Sequence, residues 1–528
     1  MNNGKPQLIN WTLILSVLVI PCLLALNRGQ AHAAGPAARQ KGMSFVAWWG
    51  GDYSTQAADQ SLAELKQAGP DWISVIVVRY QDTIASTTIQ SLPATASDED
   101  LVHVINLAHS MGLKVMLKPH VDLANDPTHW RGNIGSVFSE ADWTTWFISY
   151  KDMIFHYAQL AQTLGVEQFC VGTELVSTEG RAAQWRSVIA GVRAIFTGPL
   201  TFAANPGDES SITWWDALDF IGFDAYYALT DKNDPTLAEL KAAWVPLKAV
   251  LKGLSDTWGK PVIFPEVGYS SQDGANRHPW QSGLGDPLDL QEQVDLYQAL
   301  FETFYNQDWF AGVFWFPWDT NPLQGGPCEK GSTPHDKPAE DVIRKWYGAP
   351  PRPASTAAVP GLDTSRSMPV YTDALGPGWD NWSWGGTYDF ASTEQVHSGT
   401  YAIKAVDPSY GAVALHHETF DSSPYYWLEW YVYKSSDASS VGIWFNDEND
   451  VPLPTLPVED CRYTGGQPVA PGMWTRVLIP LKDLQADHRL LSRLSIGNGW
   501  DQPNTFHVDD VRLVGALWKT SLPLVLKP

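Results

Sequence analysis

The chain has 528 residues, 44% hydrophobic and 18% charged, which is too long for one ordinary domain and ample for a sizeable core. A formal net charge of -23 without any long basic run argues against a nucleic-acid partner. The 26 Trp, 19 Tyr and 19 Phe exceed what a core needs. Exposed aromatic rings stack on the apolar faces of sugars, so carbohydrate is an early candidate, although core remains the commoner place for any single Trp.

At the N-terminus Lys5 precedes an apolar stretch from Trp11 to Leu26, followed by Ala31-His32-Ala33. That pattern predicts a secretory signal over residues 1–33, and hence a secreted or cell-surface protein. A retained membrane anchor is the alternative, for which the stretch is short. After signal cleavage no stable membrane span is expected. The remaining Cys170, Cys328 and Cys461 are too few and too scattered for a disulfide framework, and their spacing is not that of a metal site.

Between residues 43 and 348, eight short apolar runs alternate with amphipathic stretches. The runs are Met43–Trp49, Trp72–Tyr80, Lys114–Leu123, Val166–Leu175, Leu200–Pro206, Phe220–Leu229, Pro261–Tyr269 and Ala311–Thr320. Helical spacing is clearest at Ala57, Leu62, Leu65 and Ala68. Strands alternating with helices demand a parallel sheet, and eight such units predict an α/β fold of the (β/α)8 TIM-barrel type. An open doubly wound sheet is the runner-up, but no G-x-G-x-x-G follows the first run. Residues 349–361 are rich in Pro and Ala and read as a linker. From 362 to 515 short alternating runs recur between turn residues, which predicts an all-β, jelly-roll-like sandwich. Residues 516–528 form an apolar tail, read as one more strand or a surface-attachment signal.

In a (β/α)8 barrel, chemistry gathers at the C-terminal strand ends. The eight apolar runs end on polar or aromatic residues: Trp48, Arg79, Lys118 with His120 and Asp122, Thr173 with Glu174, Asn205, Asp224 with Tyr226 and Tyr227, Glu266, and Trp315 with Trp318. Glu174 and Glu266 close runs 4 and 7, nearly opposite one another in a ring of eight. A buried, unpaired Glu is costly. Each needs either a cation such as Arg79 or Lys118, or work to do at an open strand end. Two carboxyl groups flanking a bond, one protonated and one ionised, are the machinery of glycoside hydrolysis.

These residues resemble clan A of the retaining glycoside hydrolases, and within it glycoside hydrolase family 113, the β-1,4-mannanases. The matching stretches are LKPHVDL (117–123), VGTEL (171–175), LTFAAN (200–205), WWDALDFIGFDAYYAL (214–229), EVGYSS (266–271) and GVFWFPWDTNP (312–322). The resemblance implies Glu174 as acid/base and Glu266 as nucleophile, with Tyr226 or Tyr227 hydrogen-bonded to the latter. It implies Trp315 or Trp318 as the platform under the sugar, and Trp48, Arg79, Lys118, His120, Thr173 and Asn205 as further substrate contacts. His120 has an equal alternative as a hydrogen-bonded neighbour of the contact residues, while Asp122 and Asp224 read as structural caps. Thr173 stands where most of the clan has Asn. The implied activity is a retaining, endo-acting cleavage of mannan or glucomannan by a monomer that needs no cofactor. Its rivals are the same chemistry on glucan or xylan, and a non-catalytic carbohydrate-binding surface protein. The β-region resembles carbohydrate-binding modules through GWDNWSWGG (378–386) and HVDDVRL (507–513). Trp379, Trp382, Trp384 and Trp444 are its candidate platforms, with core as the alternative. A structural calcium at Asp509 or Asp510 is the one metal this resemblance leaves open.

Overall fold

A computed structural model describes residues 39–517, apart from 208–210, 282–285, 353–360, 408–410, 437–440, 459–460, 467 and 498–502. The expected signal segment, most of the expected linker and the tail from 518 onward lie outside the described residues. Eight parallel strands close into a barrel: β1 (Gln40–Val46), β2 (Trp72–Gln81), β3 (Lys114–Leu123), β4 (Gln168–Thr173), β5 (Leu200–Ala204), β6 (Ile221–Asp224), β7 (Val262–Val267) and β8 (Phe310–Asp319), with β8 pairing back onto β1. Around it run α1 (Gln56–Gln67), α2 (Asp98–Ser110), α3 (Glu140–Leu164), α4 (Ala182–Arg193), α5 (Leu237–Trp258), α6 (Leu290–Phe304) and α7 (Pro338–Tyr347).

Local signals account for these helices. Ser97, Ser139 and Thr236 cap α2, α3 and α5, each through a reciprocal capping box with the acidic residue three positions on. Between β5 and β6 the described chain forms only a short 3-10 turn, Trp215–Ala217. Indoles fill the space a helix would take. Trp214 stacks on Trp185 at 5.2 Å between centroids, and Phe202 lies edge-on to both.

Strand alternation sorts the barrel residues into two sets. Val75 and Val77 of β2, and Val115, Leu117 and Val121 of β3, join the core under the helices. Met116, Ile263 and Phe314 form a separate apolar cluster with Trp72 that fills the barrel interior. Gly42 makes room for it, since a Cβ there would meet the Phe314 ring at 2.5 Å. Above this plug the interior positions turn polar, and that upper storey holds the site.

The C-terminal region is an antiparallel sandwich. Its strands are β9 (Gly361–Tyr371), β10 (Trp379–Asn381), β11 (Thr387–Ser392), β12 (Ala402–Asp407), β13 (Ala412–Asp421), β14 (Trp427–Lys434), β15 (Gly442–Asp447), β16 (Leu456–Pro457), β17 (Trp474–Pro480), β18 (Leu490–Gly497) and β19 (Asn504–Leu517). One sheet runs β10-β13-β18-β15-β16 and the other β11-β12-β19-β14-β17, with β9 also on β19. Leu415, Phe445 and Leu494 of the first sheet meet Ile403, Trp430 and Val508 of the second in one core. β9 begins at Gly361, the last residue of the expected linker.

The cysteine expectation is corrected. Cys328, in the segment between β8 and α7, is disulfide-bonded to Cys461 of the sandwich, 133 residues away, while Cys170 is free and buried. No local spacing signals a cross-link between residues so far apart in sequence. The bond has company: Arg462 donates to the Leu323 carbonyl (2.8 Å) and pairs with Asp336 (3.4 Å), and Leu323 packs on the sandwich core. Among the described residues no helix is long and apolar enough to cross a membrane. Closing so long a loop constrains the denatured chain, so Cys328→Ser should cost about 2–4 kcal/mol. Denaturant midpoints should fall equally for this variant and for reduced wild type, and an unchanged midpoint would leave the cross-link without a stabilising role.

Candidate active site

Lys118 lies inside the barrel on β3, directly above Met116. Its ammonium donates to Glu266 Oε2 at 2.6 Å and to Asp224 Oδ2 and Oδ1 at 2.9 and 3.1 Å. β3 stands across the barrel from β7, so one side chain spans the interior and ties three strands together. Lys118 and Asp224 are fully buried and Glu266 is 7% exposed. Burial alone would lower the lysine pKa, but the attraction of Asp224 and Glu266 overrides it and holds the ammonium above its ordinary range. One cation cannot neutralise two carboxylates. Burial pushes Asp224 well above the usual carboxylate range, against the pull of Lys118 and with the repulsion of Glu266. The second oxygen of Glu266 accepts from the Tyr226 hydroxyl at 2.8 Å.

Glu174 immediately follows β4 and sits in different surroundings. Its backbone adopts φ +53°, a left-handed conformation that a non-glycine residue rarely takes, and its N–H donates to the Ala203 carbonyl of β5 at 2.8 Å. Arg131 lies 3.5 Å from its carboxylate, a loose contact. Burial raises the Glu174 pKa; Arg131 opposes that and the charge of Glu266 adds to it. Arg131 is committed elsewhere, donating to Asp122 Oδ2 (2.8 Å) and to His120 Nδ1 (2.9 Å). A guanidinium can only donate, so His120 Nδ1 accepts and the ring proton resides on Nε2, which is buried with no protein partner. Burial, then Arg131 and Lys118, keep this imidazole neutral by lowering its pKa well below the ordinary value.

Two carboxyl groups thus share one pocket under opposite regimes. Glu266 is gripped by a cation and a phenol, whereas Glu174 is buried, strained and weakly paired. The family comparison agrees with this geometry, because the model for Glycoside Hydrolase Family 113 matches residues 43–331.

The chain belongs to glycoside hydrolase family 113.

It is similar to a solved GH113 β-1,4-mannanase complex, at 30% identity and TM-score 0.53 over 59% of this chain and 99% of that one. It is also similar to the GH113 β-mannanase AaManA from Alicyclobacillus acidocaldarius in complex with ManMIm, at 32% identity and TM-score 0.53 over 59% of this chain and 97% of that one. A comparison with curated proteins finds no match.

In this GH113 enzyme the strand-end residues divide into those that reach the pocket and those that do not. Lys118, His120, Glu174, Tyr226 and Glu266 come together through the contacts above. Thr173 is buried, its hydroxyl 3.9 Å from Cys170 Sγ, whose thiol burial pushes up to about 11. Asn205, just past β5, donates to the Pro206 carbonyl at 3.1 Å. Trp48 stays at the mouth, 53% exposed, its Nε1 donating to Asp319 Oδ2 at 2.6 Å. Tyr227 is buried edge-on against Trp244 of α5.

Three expectations fail on geometry. Arg79 faces the helices, with Nε on the Tyr157 hydroxyl at 2.7 Å and a further bond to Ser91, so it serves neither carboxylate. Trp315 is fully buried outside the barrel, stacked on Tyr297 of α6 at 3.9 Å between centroids. Trp318 is 1% exposed, packed on His335 and donating to Ser61 Oγ of α1. Neither indole offers a face to a sugar. Asp224 and Asp122 prove to be ion partners rather than caps. In the sandwich, both carboxylates proposed for calcium are occupied by donors. Asp509 accepts from the N–H groups of His397, Ser398 and Asp510, and Asp510 from the His397 ring and the Ser398 hydroxyl. Such an arrangement does not fit a cation.

Sequence reasoning missed Arg131, which sits in a short turn eight residues beyond the β3 terminus. Removing one partner of a buried ion cluster strands the others. Lys118→Met should therefore cost about 3–5 kcal/mol in denaturant unfolding. An unchanged midpoint would mean that Asp224 and Glu266 can share a proton without the cation.

Proposed function

We propose that the chain is a secreted, endo-acting β-1,4-mannanase that hydrolyses mannan or glucomannan with retention of anomeric configuration. The observation that carries this reading is the asymmetry of Glu266 and Glu174. Glu266 is the nucleophile. Lys118 and Tyr226 each donate to one of its oxygens and so orient it for attack on the anomeric carbon. Glu174, whose pKa burial raises, holds the proton for the departing glycosidic oxygen. Once the glycosyl-enzyme forms, Glu174 is ionised and takes a proton from the water that displaces Glu266. The product keeps the β configuration. The exposed rings of Trp48 and Trp49, with Phe316 at 6.5 Å from Trp48, support a sugar-stacking role at the mouth that Trp315 and Trp318 cannot take. Mannan as substrate rests on the likeness to solved GH113 mannanases. Secretion is supported by the signal-like N-terminus and by a disulfide, which persists in oxidising surroundings. The sandwich serves as an accessory carbohydrate-binding domain.

Glu174→Gln should lower kcat/KM on mannan by about 10²- to 10⁴-fold. Aryl β-mannosides with good leaving groups, which need little protonation, should restore much of the glycosylation rate. Glu266→Gln should be inactive on both. Proton NMR of early products should show the β-anomer first, and α-anomer first would sink the retaining mechanism. A panel of mannan, glucomannan, glucan and xylan tests the substrate.

The pH profile adds a separate check. The basic limb of kcat/KM falls as Glu174 loses its proton, so it should lie above the ordinary carboxylate range. Arg131 holds the Glu174 pKa down, so Arg131→Met should move that limb to higher pH. Movement to lower pH would show that another group sets it.

A further inference from the structure

A second surface combines exposed indoles with polar atoms that lack partners. It lies on the sandwich, on the outer face of the sheet containing β13, β18 and β15. Register defines that face. Leu415, Leu494 and Phe445 pair across the three strands and enter the core, so the flanking rows His416–Arg493–Asn446 and Ala414–Ser495–Trp444 point outward. The segment after β10 continues alongside β13. There the Trp382 N–H donates to the Ala414 carbonyl and the Trp384 N–H to that of Ala412.

The rings on this face are posed. Trp382 lies flat on the His416 imidazole, centroids 3.6 Å apart and planes within 1°, yet is 50% exposed. The imidazole covers one indole face and the other is open. Trp384, 39% exposed, stands edge-on to Trp444 at 6.1 Å and carries the Arg493 guanidinium over its ring at 5.5 Å. Trp379, by contrast, is core. Between the rings several polar atoms are unspent, although the Arg493 guanidinium also pairs through Nη2 with Asp450 Oδ1 at 3.0 Å. Ser495 is fully buried and its Oγ has no partner. Asn446 is 1% exposed; its amide nitrogen binds the Asp450 carbonyl, but Oδ1 is unpaired. Arg493 Nε and His416 Nδ1 are unpaired as well. A buried polar atom without a partner costs stability. Four on one sheet face, beneath indoles that stay open to solvent, mark a surface finished by something that both stacks and hydrogen-bonds.

We propose that this face binds a β-linked hexopyranose chain. Pyranose rings stack on Trp382 and on the Trp384–Trp444 pair, and their hydroxyls satisfy Ser495, Asn446 and Arg493. A pyranose matches the surface on both counts, having an apolar face of C–H groups and equatorial hydroxyls at its rim. The inference rests on the reading of the barrel as a polysaccharide hydrolase, and assigns to the sandwich the same class of polymer.

The test uses the full chain. Binding is read by affinity electrophoresis in gels containing glucomannan, mannan, hydroxyethylcellulose or xylan, in a Glu266→Gln background so that the polymers survive. Turnover of mannopentaose is read in the active background. Trp382→Ala should weaken retardation by at least one polymer about tenfold, with melting temperature and mannopentaose turnover unchanged. Trp280→Ala, at an exposed Trp of a barrel loop, should leave retardation unchanged. Ser495→Ala should weaken retardation while melting at or above the parent temperature, since it deletes an unpaired buried hydroxyl. Equal retardation of the parent, Trp382→Ala and Ser495→Ala proteins by all four polymers would overturn the proposal. So would a loss of mannopentaose turnover in Trp382→Ala that matches its loss of retardation. Should the Glu266→Gln background still degrade the polymers, the catalytic reading fails, and the four retardations still decide this one.

Discussion

The upper storey of the barrel depends on one buried cation. Lys118 is the only lysine or arginine that contacts Glu266 or Asp224 among the described residues, and it reaches them from the opposite side of the barrel. Its charge compensates the burial of the two carboxyl groups it touches. Its geometry also sets the orientation of Glu266, because Oε2 faces Lys118 and Oε1 faces Tyr226. Glu174 is then defined by contrast. It shares the field of Glu266 with only the loose contact of Arg131, and that difference underlies the proposed division into nucleophile and acid/base.

The apolar plug below and the aromatic rim above serve the same arrangement. Met116, Ile263 and Phe314 exclude water from beneath Lys118, which lowers the local dielectric and strengthens both its attractions. Arg131 then works from the side. It holds Asp122 and a neutral His120, and comes near Glu174 without gripping it. Arg131 thus opposes, without cancelling, the rise that burial imposes on the Glu174 pKa.

Much of this was legible in the sequence, because a parallel barrel makes strand bodies apolar and strand ends functional. The pairing of Glu174 with Glu266, and the choice of a strand-6 tyrosine, came from that rule and from the family resemblance. Two of the errors, Trp315 and Arg79, came from ignoring strand parity. Phe314 fills the barrel interior, so Trp315 must face the helices, as it does; Phe316 returns to the inner side. The same count along β2 sends Arg79 toward α3, with Val75 and Val77. Arg131 left no such trace, since a turn residue far from its strand has no periodicity to betray it. The cross-link between Cys328 and Cys461 was illegible for a simpler reason: its partners become neighbours only once both halves are folded.

That cross-link changes what counts as a module. The segment from Thr320 to Lys337 leaves the barrel at the mouth of the pocket, and through Leu323, Asp336 and Cys328 it is fastened to the sandwich. Truncating the chain near Ala354 would strip the cover from Leu323 and leave Cys328 without its partner. The transplantable piece is accordingly larger than the sandwich. A functional graft onto another barrel would have to carry this hinge segment with it, and directed changes to the segment offer a way to re-aim the accessory domain without touching a residue of the pocket.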